Sequence, residues 1–145
     1  MLFYIISILV IITDQLSKYL IRTYIDINET STLWGIQLTH IENSGMAGSL
    51  FQGYGRLFGV AAVLFVIGVL YFRRTGEMKG TLIDSSLGFL VGGAIGNGLD
   101  RLLFGQVTDF IIRSGGVLNF ADHAIEMGMF LLIIYGIVIC LKKVR

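Results

Sequence analysis

Residues Gly92 to Asp122 read GGAIGNGLDRLLFGQVTDFIIRSGGVLNFAD. The stretch leaves a glycine-rich apolar run at Asn97, Asp100 and Arg101. It passes two further carboxylates, Asp109 and Asp122, and re-enters apolar sequence at Ala121. Asp109 and Asp122 have small or polar neighbours rather than countercharges. A carboxylate beside a long apolar segment is costly to keep ionised unless it has a partner or a task. How the rest of the chain places these acids decides both fold and chemistry.

The chain has 145 residues, 54% of them hydrophobic and 14% charged, with a formal net charge of +1. Mean hydropathy is +0.79. Soluble domains carry about 25% charged residues, so this composition predicts a membrane protein. No basic block suggests a nucleic-acid partner. Nineteen glycines and no proline suit helices that approach closely within a bilayer. Cys140 has no partner for a disulfide and no companion ligand. No metal or cofactor is expected. The N-terminus lacks the basic start and small-residue cleavage site of a removable signal peptide, so the first apolar segment is expected to remain attached.

Four spans are predicted, over about 2–21, 56–72, 82–99 and 121–141. Charged residues trim the uninterrupted runs below the roughly 20 residues of a spanning helix. They are therefore placed at the span ends, where they can pair or snorkel. Residues 22–55 differ: TSTLWGIQLTHIEN at 30–43 alternates like short strands, and Asn28 and Gly35 supply turn chemistry. The reading is a membrane α-helical protein with four transmembrane helices and a small extracytoplasmic β-rich cap, a single domain over 1–145. Trp34 is expected near the lipid headgroups, and His40 at the surface or in a hydrogen bond rather than on a metal. Asn43 to Phe51 reads as a tight turn. Arg73, Arg74 and Lys79 follow the second span, and Lys142, Lys143 and Arg145 the fourth. The positive-inside rule then puts both termini in the cytoplasm, with the cap and the 101–122 loop outside.

That topology gathers the polar residues at one end. Asp14 and Lys18, spaced i,i+4, share a helix face in the favourable order, as a self-neutralising pair, as part of a site, or both. Asp100 and Arg101 read as a salt bridge at a helix end. Asp122 has two readings, a helix N-cap or half of a carboxylate pair, with Glu126 a rival partner one turn away. Two close carboxylates share one proton. Such a pair activates a water and polarises a carbonyl, which is peptide-bond hydrolysis. A proton-coupled transporter is the rival class, but it predicts internal repeats that the sequence lacks.

The motifs Asp14-Gln-Leu-Ser-Lys18, Asn43-x-Gly45, Gly92-Gly-Ala-x-Gly-Asn97-x-x-Asp100-Arg101, Gly105-x-Val-x-Asp109-Phe110 and Asn119-x-Ala121-Asp122 occur in this order. Together they resemble lipoprotein signal peptidases, the bacterial type II signal peptidases. The resemblance implies an aspartyl protease of the cytoplasmic membrane. Such an enzyme cleaves prolipoproteins just before the diacylglyceryl-modified cysteine, works among membrane lipids and is blocked by the cyclic peptide globomycin. It implies that Asp109 and Asp122 are the catalytic dyad and that Asp14, Asn43, Arg101 and Asn119 shape or bind at the site. Lys18, Gly45, Asn97, Asp100 and Ala121 lie within the same motifs. A non-catalytic relative that binds lipidated peptides is the alternative. The chain departs from the family pattern at Met46 and Gly48, in the short segment between the two aspartates, in the absence of a proline before Leu118-Asn119, and in Val-Thr-Asp-Phe at 107–110.

Overall fold

The computed structural model describes residues 1–46, 50–76 and 80–144. Four long helices, α1 (Leu2–Tyr24), α2 (Gly55–Thr75), α3 (Thr81–Phe104) and α4 (Phe120–Val144), are joined by two pairs of short strands, one between α1 and α2 and one between α3 and α4. The strands are β1 (Thr30–Leu33), β2 (Ile36–Asn43), β3 (Val107–Arg113) and β4 (Gly116–Leu118). Each helix is long and apolar enough to cross a membrane, and the chain is a multi-pass membrane protein. Burial runs opposite to that of a soluble bundle. On α1, Ile5, Ile8, Leu9, Ile12 and Leu16 are exposed while Asp14 and Lys18 are fully buried. An outer surface of this kind is stable against lipid, not water.

Helix α3 is the centre of the bundle and packs against the other three. Its small residues permit this. A Cβ at Gly96 would stand 2.6 Å from an Asp14 carboxylate oxygen, and one at Gly93 would stand 2.5 Å from the Ala121 carbonyl oxygen. Helix approach therefore needs glycine at both positions. Ser7 and Ser86 tie helices across these contacts, donating to Gly88 O (3.1 Å) and Gly128 O (2.8 Å). Among the described residues, one apolar core cluster gathers Phe3, Ile83, Leu87, Leu90 and Val91, toward the end away from the strands. There Arg73 pairs with Asp84 and lies 4.1 Å from the Phe3 ring centroid.

The four strands form one antiparallel sheet in the order β1-β2-β3-β4. Leu33 pairs with Ile36 across Trp34-Gly35, both of which have positive φ (51° and 83°). Positive φ at both central residues is the hairpin turn that matches strand twist. Ile41 pairs with Asp109, Glu42 with Thr108 and Asn43 with Val107, but Leu38 pairs with Ile111. Strand β2 thus spends one more residue than β3 at Thr39–His40, a bulge.

Two boundaries drawn from the sequence need correction. The β-rich layer does not end at residue 55: half of it comes from β3 and β4, within the segment read as a loop over 101–122. Residues 101–104 belong to α3 and 120–122 to α4. The third span is also longer than 82–99, because Asp84, Asp100 and Arg101 lie inside the helix rather than marking its ends. Partners on other helices and the sheet make those charges affordable there. Gly48, one of the departures from the family pattern, lies outside the described residues.

Candidate active site

The site lies where the sheet meets the bundle. Asp109 is on β3, Asn43 ends β2, Asn97, Asp100 and Arg101 are on the last turns of α3, and Asn119 to Asp122 start α4. All come from elements that end at the same layer, so the connectivity alone brings them together.

Asn119 is fully buried and touches both aspartates. Its side-chain Nδ2 donates to Asp109 Oδ1 at 2.7 Å. Its backbone N–H donates to Asp122 Oδ2 at 3.1 Å, and its Oδ1 accepts the Asp122 N–H at 3.0 Å. The second pair of bonds is a reciprocal capping box, in which Asn119, not Asp122, is the N-cap and Asp122 is its partner in the first turn of α4. The remaining oxygens are also met: Asp109 Oδ2 accepts from Asn43 Nδ2 (3.1 Å), and Asp122 Oδ1 from Asn97 Nδ2 (2.8 Å). Three asparagines thus orient two carboxylates without adding charge. Burial, and next the Asp122 charge, push the Asp109 carboxyl up from 3.8 to about 6, against the hydrogen bonds from Asn43 and Asn119. A carboxyl that keeps its proton into that range suits acid–base work.

Behind the aspartates lies a buried ionic network. Lys18 Nζ is 2.8 Å from Asp14 Oδ2 and 3.0 Å from Asp100 Oδ2, with all three side chains inaccessible. It also donates to Asn97 Oδ1 at 2.9 Å, the same Asn97 that holds Asp122. Asp14 Oδ1 accepts the Ala121 N–H at 2.9 Å, so a first-helix carboxylate satisfies a donor at the start of the last helix, where negative charge is favoured. The Asp14–Lys18 ion pair expected from their spacing is thus present, and it extends to Asp100, Asn97 and the start of α4. A buried charge left alone is costly, and a paired and hydrogen-bonded one persists.

Two readings do not survive. Asp100 is not bridged to Arg101; its partners are Lys18 and Arg22, the latter at 3.1 Å. One residue apart on a helix, Asp100 and Arg101 project in different directions. Arg101 instead donates to Gly45 O at 3.2 Å. The Gly45 N–H donates to Asn43 Oδ1 at 2.9 Å, so Arg101 and Asn43 hold the turn after β2 together. Met46 N–H donates to Leu50 O at 2.7 Å, while residues 47–49 of the tight turn expected over Asn43 to Phe51 lie outside the described residues. Glu126 does not face Asp122; it pairs with Arg113 at 2.8 Å on the exposed side. Of the two settings expected for His40, the hydrogen-bonded one applies: it is buried, with Nδ1 2.7 Å from Ile25 O and Nε2 2.9 Å from Glu42 Oε1. Sequence reasoning did not single out Arg22, Glu42 or Thr108, whose side chains join the network to the sheet. The signal available for Thr108 was its place in the Val-Thr-Asp-Phe departure.

A bundle of membrane-crossing helices that holds two aspartates on one asparagine beneath a small sheet defines the class, a membrane-embedded aspartic peptidase. A family model described as "Signal peptidase (SPase) II" matches residues 6–138. The chain belongs to this family, aspartic endopeptidases that remove the signal peptide from prolipoproteins. It is 39% identical over 133 residues to the lipoprotein signal peptidase of Moorella thermoacetica, covering 90% of this chain and 89% of that protein. It is 35% identical over 146 residues to that of Lactobacillus johnsonii, covering 97% and 95%. A bacterial membrane enzyme solved by the in meso method at 2.3 Å resolution superposes with a TM-score of 0.84 at 28% identity, covering 92% of this chain and 85% of that one.

Proposed function

We propose that Asp109 and Asp122 are the catalytic pair and that they hydrolyse the peptide bond just before a diacylglyceryl-modified cysteine. The observation that carries this reading is the double engagement of Asn119. One residue donates to a carboxylate oxygen of each aspartate, which holds the two acids on a common centre. Asp109 carries the proton, since its carboxyl is the one pushed up to about 6. Its partner, oriented by Asn97 and the Asn119 N–H, takes a proton from water as that water attacks the scissile carbonyl. The Asp109 hydroxyl donates to the carbonyl oxygen and stabilises the tetrahedral intermediate. When the intermediate collapses, a carboxyl returns a proton to the leaving amine.

The remaining site residues serve this centre. Asn43, Gly45 and Arg101 hold the turn beside Asp109, while Asp14, Lys18, Asn97, Asp100 and Ala121 set the start of α4 under Asp122. The site would work at the outer face of the bacterial cytoplasmic membrane, with both termini in the cytoplasm. Arg73, Arg74 and Lys142, at the end away from the sheet, support this orientation. There a lipidated substrate keeps its acyl chains in the bilayer while its peptide bond reaches the sheet layer. Membrane lipids and globomycin are the further ligands this reading implies.

The test is processing of a diacylglyceryl-modified prolipoprotein by purified Asp109→Asn and Asp122→Asn enzymes. Each is expected to bind the substrate and leave it uncut. Normal processing by both variants would remove the pair from the mechanism, and binding without cleavage by the unaltered enzyme would favour a non-catalytic binder.

A further inference from the structure

Strand β3 presents Asp109 on one face and Thr108 on the other, because successive side chains alternate. Thr108 is fully buried, although it faces away from the catalytic centre. Its hydroxyl is held from two sides. It accepts from Arg22 Nε at 2.6 Å and donates to Glu42 Oε1 at 2.8 Å. Glu42 is its cross-strand partner on β2. Glu42 Oε1 also lies 3.8 Å from Arg22 Nε and 2.9 Å from His40 Nε2. His40 sits at the bulge of β2, with its other nitrogen against the carbonyl of Ile25, the residue that follows α1.

Arg22 thereby joins two bodies. Its Nη2 is 3.1 Å from Asp100 on α3, inside the buried network of the bundle, while its Nε reaches the strand residue adjacent to Asp109. A planar guanidinium can hold both directions at once, which an ammonium cannot. Register matters here because a one-residue slip of a strand sends its side chains to the opposite face. Strand β2 already carries one extra residue at Thr39–His40, so the β2–β3 register is not fixed by regular pairing alone.

We propose that Arg22 and Thr108 are positioning residues: the Arg22–Thr108–Glu42 clamp, pinned at its far side by His40, ties β3 to the helical bundle and fixes the depth and register at which Asp109 meets Asp122. This rests on the assignment of Asp109 and Asp122 as the catalytic pair. Thr108 Oγ1 meets Arg22 and Glu42, not either aspartate. It acts from the reverse face of the strand, where it leaves the Asp109 face open.

The experiment uses full-length enzyme reconstituted in lipid, with a fluorogenic diacylglyceryl lipopeptide as substrate. Thr108→Val keeps the side-chain shape and removes both hydrogen bonds. It is expected to lower kcat about 10- to 100-fold, the scale of a small misplacement of a reacting group, with KM within about twofold. Thr108→Ser, which keeps the hydroxyl, is expected to restore kcat to within about threefold. Arg22→Lys is expected to behave like Thr108→Val, and the double variant to lose little more than either single one, since both break one clamp. The inference is overturned if Thr108→Val retains kcat within about twofold, or if Thr108→Ser and Thr108→Val lose activity alike. Asp109→Asn in the same assay separates the two claims. If it is active, the catalytic assignment fails and the clamp has nothing to position; if it is inactive while Thr108→Val is normal, only the clamp fails.

Discussion

The two ends of the helical bundle handle charge in opposite ways. At the end away from the sheet, Arg73 on α2 pairs with Asp84 on α3 beside Phe3, and both side chains keep contact with the surroundings. One cation meets one anion, and the apolar core of Phe3, Ile83, Leu87 and Leu90 does the packing. At the sheet end the apolar core gives way to Asp14, Lys18 and Asp100, all inaccessible, with Asn97 and Asn119 between them and the aspartates. Stability alone would favour the first arrangement, since apolar replacements of buried ion networks are often neutral or stabilising. The second arrangement instead orders the surroundings of two acids: Lys18 holds Asn97, and Asn97 holds Asp122.

Substitutions at the two ends should differ accordingly. The largest effect is expected at the aspartates: Asp109→Asn or Asp122→Asn should reduce kcat/KM for a lipopeptide by about 10³-fold or more, with Tm nearly unchanged. Retention of more than a tenth of the activity would make the sheet end merely structural. Next comes Lys18→Met, which strands Asp14 and Asp100 without their shared cation. Breaking a buried pair in this way costs about 3–5 kcal/mol, so the variant should lose much of its thermal stability in detergent as well as its activity. A Tm equal to that of the parent would contradict the buried network.

The pH dependence is smaller. A carboxyl raised to about 6 binds its proton more tightly in the folded protein than the ordinary value of 3.8 implies. The singly protonated pair is therefore lost as pH rises through about 6. The value of kcat/KM, which reports the free enzyme, should fall about tenfold per pH unit beyond that point. A profile flat into strongly basic solution would exclude a shared proton. The smallest effect belongs to the other end. Arg73→Gln should cost under about 1 kcal/mol, as partly exposed pairs do, and leave kcat and the pH profile unchanged. A shift in either would mean that the two ends are coupled.

The four helices were legible in sequence because lipid contacts every outward face, so hydropathy records the fold without knowledge of its partners. Their ends were not. Asp100 and Arg101 look like a boundary locally, yet Asp100 lies within α3 because Lys18 and Arg22, some 80 positions earlier, neutralise it. The same limit applies to the sheet. Val107, Thr108, Ile111 and Ile112 carry β-branched strand character, and Gly115-Gly116 offers a turn, but only pairing with residues 38–43 turns that character into a shared layer. The five motifs marked Asp109, Asp122, Asn43, Asn97 and Asn119 as one group. The clamp on the back of β3 was hidden, because Glu42 and Thr108 become neighbours only once the register is known.

Asp14 supplies a hydrogen-bond acceptor to the opening turn of α4, so α1 completes a helix that follows it by some hundred residues. Asp122 arrives on that same final helix. On the proposed assignment of Asp109 and Asp122, a chain without α4 lacks half of the pair and the contact that α1 makes with it.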